Sequence, residues 1–230
     1  MSDQSLESLY TAKNPVYFER SRPELLPFVP ASARKILDVG CGAGGFAAEF
    51  KTLLQAEVWG VELNQEASAI ARGRLDQVFH APFGPELGLP HNYFDCIFFN
   101  DVLEHMLEPV AALRLALTLL SETGVVVASI PNIGRFPEVW KLVVRGEWDY
   151  KDQGILDKTH LGFYTRKSIA KLFEKSGYEV EKIQGINDFF QIEPDDKELW
   201  WKYRFLSWLP IRSVREMRHL QYAVVARRRR

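Results

Sequence analysis

Two cysteines in 230 residues, Cys41 and Cys96, leave no material for a disulfide framework or a cysteine-rich zinc site. Each reads as a small apolar filler, and no metal is expected. No apolar run approaches the ~20 residues of a membrane-spanning helix. The opening stretch, MSDQSLESLY, lacks the charged and apolar regions of a secretory leader, so a cytoplasmic location is expected. A strong charge excess is also missing: 29 Lys and Arg stand against 30 Asp and Glu, a net charge of -1. That balance argues against a chain built throughout to grip nucleic acid. No internal repeat occurs, and the only biased segment is Arg227 to Arg230.

Apolar material is plentiful, at 47% of residues, enough for one sizeable core, and a single domain over residues 1–230 is expected. The charge is unevenly spread. From Lys202 to Arg230 there are nine basic residues and one acid, Glu216, a local +8; residues 1–201 carry 20 basic and 29 acidic residues, the remaining -9. Arg212, Arg215 and Arg218 recur at helical spacing beside Trp208 and Leu209. Such a basic face next to tryptophan suits peripheral contact with an anionic membrane.

The densest signal is Ile36 to Phe46, ILDVGCGAGGF. A short apolar strand runs into glycines that permit a tight reversal into a helix. Gly40, Gly42 and Gly45 satisfy G-x-G-x-x-G, and Glu62 follows at the distance where a dinucleotide-binding fold places its ribose carboxylate. A dehydrogenase fits that much. Asp38, two positions before the first glycine, does not: its carboxylate would repel a pyrophosphate and attract a cation. S-adenosyl-L-methionine carries an ammonium, a sulfonium and a ribose diol, and no phosphate.

The run Asp38-Val39-Gly40-Cys41-Gly42-Ala43-Gly44 resembles the first motif, D-x-G-x-G-x-G, of the class I S-adenosylmethionine-dependent methyltransferases. The resemblance implies that Asp38, Gly40, Gly42 and Gly44 form the cofactor turn and that Glu62 takes the ribose. Phe94 to His105 is similar to a second family segment, an apolar strand followed by L-E-H, which implies Asn100 and Asp101 at the methionine end of the cofactor and His105 near the site. Thr159 to Thr165 is similar to a third, H-L-x-F-Y-T, and brings His160 to the site. One departure stands out: His80-Ala81-Pro82 follows the third strand, where the family commonly has an acid near the adenine.

Strands and helices alternate across residues 36–186, which calls for a doubly wound α/β sheet. The resemblance implies a Rossmann-like sheet of seven strands, mostly parallel with the last antiparallel and helices on both faces. Residues 1–33 read as an N-terminal cap. A helix over Val110–Leu120 is expected to end at Gly124, and a short one near Glu138–Val144. Two stretches exceed a minimal fold: a lid over 133–160, and an aromatic and basic insertion over 187–219 that includes Phe189, Phe190, Trp200, Tyr203 and Phe205.

The expected activity is methyl transfer, by preference to a hydroxyl of a small molecule or saccharide. A hydroxyl acceptor needs a base, and histidine suits that task near neutral pH. His160 is expected to face the acceptor and take the proton, with His105 positioning the site and Trp140, Trp148 and Tyr150 walling the pocket. A nucleic-acid methyltransferase and a non-catalytic cofactor-binding protein remain alternatives; no nucleic-acid-binding module is visible.

Overall fold

In a computed structural model of the protein, residues 22–188 and 211–230 are described, with Trp201, Arg204 and Trp208. Seven strands form one sheet: β1 Lys35–Val39, β2 Glu57–Glu62, β3 Gln77–His80, β4 Phe94–Asn100, β5 Leu120–Pro131, β6 Tyr178–Asp188 and β7 His219–Arg228. Their order is β3-β2-β1-β4-β5-β7-β6. The pairs among β1 to β5 are parallel, whereas β7 lies antiparallel to both β5 and β6. This is the expected Rossmann-like sheet.

Strand β4 shows why the sheet sits at the centre. Its residues are apolar on both sides, so it must be covered on both faces. Ile97 and Phe99 point to one core, completed by Leu113, Ala116 and Leu119 of α3 (Pro109–Leu119) and by Ile169, Leu172 and Phe173 of α5 (Arg166–Lys175). Cys96 and Phe98 point to the other, with Phe46, Ala47 and Phe50 of α1 (Gly45–Leu53), Ala71 of α2 (Gln65–Ala71), and Leu25 and Phe28 ahead of β1. Phe98 meets the rings of Phe46 and Phe50 at 5.0 and 5.4 Å. Caps are local and legible: Asn64 accepts from the Ala67 N–H at the start of α2, and Thr165 forms a capping box with Ser168 at the start of α5.

Three expectations change. Gly124 does not stop the helix: α3 ends at Leu119 and β5 already runs from Leu120. A Cβ at Gly124 would lie 2.6 Å from the Phe94 carbonyl, so close strand approach explains this glycine. The helix near Glu138–Val144 is two pieces, α4 (Phe136–Trp140) and a π-helical turn over Lys141–Arg145. The helix α6 covers only Arg212–Glu216, so Arg218 is not on its face. Arg218 pairs with Asp188 and Arg212 with Glu216. Residues 1–21 of the expected cap, and Phe189, Phe190, Trp200, Tyr203, Phe205 and Leu209 of the second insertion, lie outside the described residues. No helix among the described residues is long and apolar enough to cross a membrane.

Candidate functional site

The ends of β1, β2 and β4 meet in one tight assembly. Gly40 adopts φ +73, and a Cβ there would come 2.5 Å from Cγ2 of Val102, so only glycine lets the β1 and β4 loops approach. The Gly40 and Cys41 N–H groups donate to the Val61 carbonyl at 2.8 and 3.1 Å, joining the turn to β2. Gly44, also left-handed, begins α1. Glu62 is 1% exposed, and its carboxylate accepts the N–H of Gly42 at 2.8 Å and of Asn64 at 2.7 Å. The acid at the end of β2 and the glycine turn are thus a single unit.

Asp38 sits inside β1, paired with Gly60 and Phe98, and is 3% exposed. Burial, with the charge of Glu62 second, pushes its carboxyl up to about 8, against the opposing pull of Arg22. The unfolded chain loses this proton near 3.8 while the folded protein keeps it to about 8. Stability from this group is therefore full below that window and falls as pH rises through it, by up to ~1.4 kcal/mol per pH unit. Asp38→Asn is expected to flatten that dependence; urea unfolding of both proteins between pH 4 and 8, at intervals of about one unit, measures it. Equal slopes would show that Asp38 ionises freely.

Asn100 follows Phe98 on the same face of β4, and its amide oxygen and nitrogen are buried without a hydrogen-bond partner among the described residues. Asp101 takes a left-handed φ of +55, uncommon for a non-glycine residue. It is held by contacts that sequence reasoning missed. Arg22 donates to Asp101 through Nη1, and through Nη2 to Ser129 Oγ at 3.1 Å and Gln221 Oε1 at 3.0 Å. Ser129 and Gln221 donate in turn to Asp101 Oδ1 at 3.1 and 2.7 Å. These partners come from the start of the described chain, β5 and β7; the sole hint was an arginine before Pro23.

A cavity of about 540 Å³ opens over the assembly, and Gly40, Glu62, Asp101 and His105 all reach it. One wall is Ala81 to Pro85, the segment where the expected acid is missing; another is formed by Met106, Leu107, Glu108, Ala111, Ala112 and Leu115, and Thr159 and Leu161 contribute from the segment before α5. Trp140, Trp148 and Tyr150 do not line this cavity. Trp148 and Tyr150 pack on Phe163, with centroids 5.4 and 6.3 Å apart, and Trp140 packs on Phe136. His160 is 8% exposed and stands behind the wall, while His105 is on it.

The two histidines nevertheless meet, with ring centroids 4.7 Å apart at 70°. The Leu161 and Gly162 N–H groups donate to the Glu104 carbonyl at 2.7 and 2.9 Å, fastening the segment before α5 to the loop after β4. Asp157 accepts the N–H and hydroxyl of Thr159 and shapes the bend that presents His160. One donor atom each of Glu104, His105 and His160 lies within 4.8 Å of the others. Sequence spacing could not show this, because the two histidines lie on separate segments.

Residues 10–183 match the family model described as a methyltransferase domain. A ubiquinone biosynthesis O-methyltransferase of Xanthomonas axonopodis pv. citri (strain 306) is 28% identical over 221 residues, 93% of this chain and 83% of that protein. One of Aeromonas salmonicida (strain A449) is 26% identical over 162 residues, covering 67% of this chain and 66% of that protein. A methyltransferase from Archaeoglobus fulgidus, solved and described as SAM dependent, superposes with a TM-score of 0.64 at 18% identity over 98% of this chain and 99% of that one, a likeness of fold. With the matched domain spanning the glycine turn, Glu62 and the loop after β4, the chain belongs to the methyltransferase domain family and is an S-adenosylmethionine-dependent methyltransferase.

Proposed function

We propose that the protein methylates a hydroxyl group of a small molecule bound in the cavity over β1, β2 and β4. The observation that carries this reading is that His105, with Glu104 and His160 behind it, shares one cavity with Gly40 and Glu62. In the reading, Glu62 receives the ribose hydroxyls and the turn Gly40, Gly42 and Gly44 receives the amino-acid end of the cofactor. Asp38, Asn100 and Asp101 form the polar floor beside it, with Arg22 holding Asp101 in place. The sulfonium and ammonium then lie near Asp38, and their charge draws off the proton that burial holds there.

The reaction is an in-line displacement. A lone pair of the acceptor oxygen forms the new bond to the methyl carbon as the carbon–sulfur bond breaks, and that pair remains on sulfur as a neutral thioether. The hydroxyl proton must leave, and the cluster of Glu104, His105 and His160 is the part of the wall equipped to promote its loss. Positive charge disperses during the step, so a site shielded from water and well aligned favours it. O-Methyltransferase names among the relatives support a hydroxyl acceptor. The tail gives less support to a membrane-bound one, since Arg212 and Arg218 are already paired with carboxylates.

The test is uptake of labelled methyl from S-adenosylmethionine by a panel of phenols, catechols, sugars, amines and thiols. Transfer to a hydroxylated compound is the expected result. Transfer confined to amines or thiols would refute a hydroxyl acceptor.

A further inference from the structure

We propose that Glu104, His105 and His160 bind one divalent first-row transition-metal ion in the wall of the cavity. The site follows from where the hydrogens must be. Thr159 has one hydroxyl hydrogen, and it goes to Asp157 Oδ1 at 2.7 Å. The Thr159 hydroxyl oxygen and carbonyl, each 3.1 Å from Nδ1 of His105, can therefore only accept from that nitrogen. Nδ1 of His105 carries the hydrogen, which makes Nε2 the nitrogen able to offer a lone pair to an ion. His160 is fixed the same way, its Nδ1 lying 2.9 Å from the Ile155 carbonyl. A backbone acceptor on one ring nitrogen is the arrangement that orients metal-binding histidines.

Nε2 of His160 then faces Oε1 of Glu104 at 4.0 Å, with side chains 6% and 1% exposed. A carboxylate oxygen and an imidazole nitrogen buried side by side are a donor pair that a shared cation suits. A bridging proton would draw the pair to about 2.8 Å, as in other charge-assisted bonds. A shared ion instead holds its donors apart: bonds of about 2.1 Å in tetrahedral geometry separate them by roughly 3.4 Å. The separation of 4.0 Å, with the third donor inside 4.8 Å, closes to that spacing by small side-chain rotations.

Two imidazoles and one carboxylate suit ions from Mn²⁺ to Zn²⁺ better than Mg²⁺ or Ca²⁺, which favour oxygen throughout. Three protein donors leave coordination positions open, and His105 is the one of the three that lines the cavity. The ligand that fits there is the acceptor's oxygen. Bound to the ion, its hydroxyl has a lowered pKa and releases its proton to solvent, and neither imidazole then acts as the base. This last role rests on the hydroxyl acceptor proposed above; the binding site does not.

Calorimetry of the chelator-stripped full chain with zinc chloride or manganese chloride alone is the test. Native protein is expected to bind the ion, while Glu104→Gln and His160→Ala each weaken binding at least tenfold. His80→Ala, whose exposed ring contacts the Leu63 carbonyl, is expected to leave it unchanged. Retained S-adenosylmethionine binding identifies the variants that are folded, and either one decides. Absence of zinc and manganese binding in the native protein, or undiminished binding in a folded variant, overturns the site. Stripped enzyme is also expected to lose methyl transfer at least a hundredfold and to recover it with added ion. Chelator-resistant transfer to a hydroxyl would overturn the metal's role and leave the proposed reaction standing. Ion binding without transfer to any hydroxylated compound would support the site and remove the proposed reaction.

Discussion

Replacing Glu62 by alanine is expected to weaken S-adenosylmethionine binding by about 1.5–3 kcal/mol, a ten- to hundredfold rise in Kd, the range for a lost charge-assisted hydrogen bond. The geometry places this residue in two networks at once. Its carboxylate accepts from Gly42 and Asn64, so alanine removes the proposed ribose partner and also loosens the turn and the α2 cap. Glu62→Gln keeps an acceptor for one of those N–H groups and is expected to fall between native and alanine. Calorimetric titration of the cofactor into the three proteins measures the order. Unchanged affinity in the alanine variant, or tight binding of a nicotinamide dinucleotide by the native chain, would remove Glu62 from the ribose site.

Removing either imidazole is expected to cost more. His105→Ala should lower kcat by ~10² to 10⁴, the span for losing a group that promotes proton loss, with cofactor affinity little changed. His160→Ala should fall in the same range, although its ring lies behind the wall, because Glu104 and His105 lose the partner that completes their cluster. Steady-state kinetics on the identified acceptor, beside cofactor titrations, separate this from a folding defect. Native turnover in both variants would mean that alignment alone drives the reaction. A large loss confined to His105→Ala would make it a lone general base.

The frame of the fold was readable because its signals are local. Apolar periodicity located β1, β2, β4 and α5, and Asn64 and Thr165 marked helix starts through side-chain geometry that needs only neighbouring residues. Gly124 misled because a glycine after an apolar helix looks like a stop, while its actual constraint, the Phe94 carbonyl, is invisible in sequence. The site divided along the same line. Gly40 and Glu62 stand near the ends of adjacent strands and carry a spacing that can be read. Arg22 reaches Asp101, Ser129 and Gln221 across most of the chain, and no local pattern links them. The pairing of His160 with Glu104 depends on how the segment before α5 meets the loop after β4, which hydrogen bonds at Leu161 and Gly162 decide.

The position of β7 has a consequence for biosynthesis. In the order β5-β7-β6, a strand made after β6 lies between two strands made before it. While the ribosome is still working on residues 189–218, β5 and β6 have no mutual pairing, and the apolar backbone edge of Val125 to Ile130 lacks the partner it later finds in Tyr222 to Arg227. An open edge of that kind invites pairing with another chain. Emergence of His219 to Arg228 closes it and delivers Gln221 to Arg22 and Asp101 in the same event, so a nascent chain pairs its open edge and completes the polar network around Asp101 together.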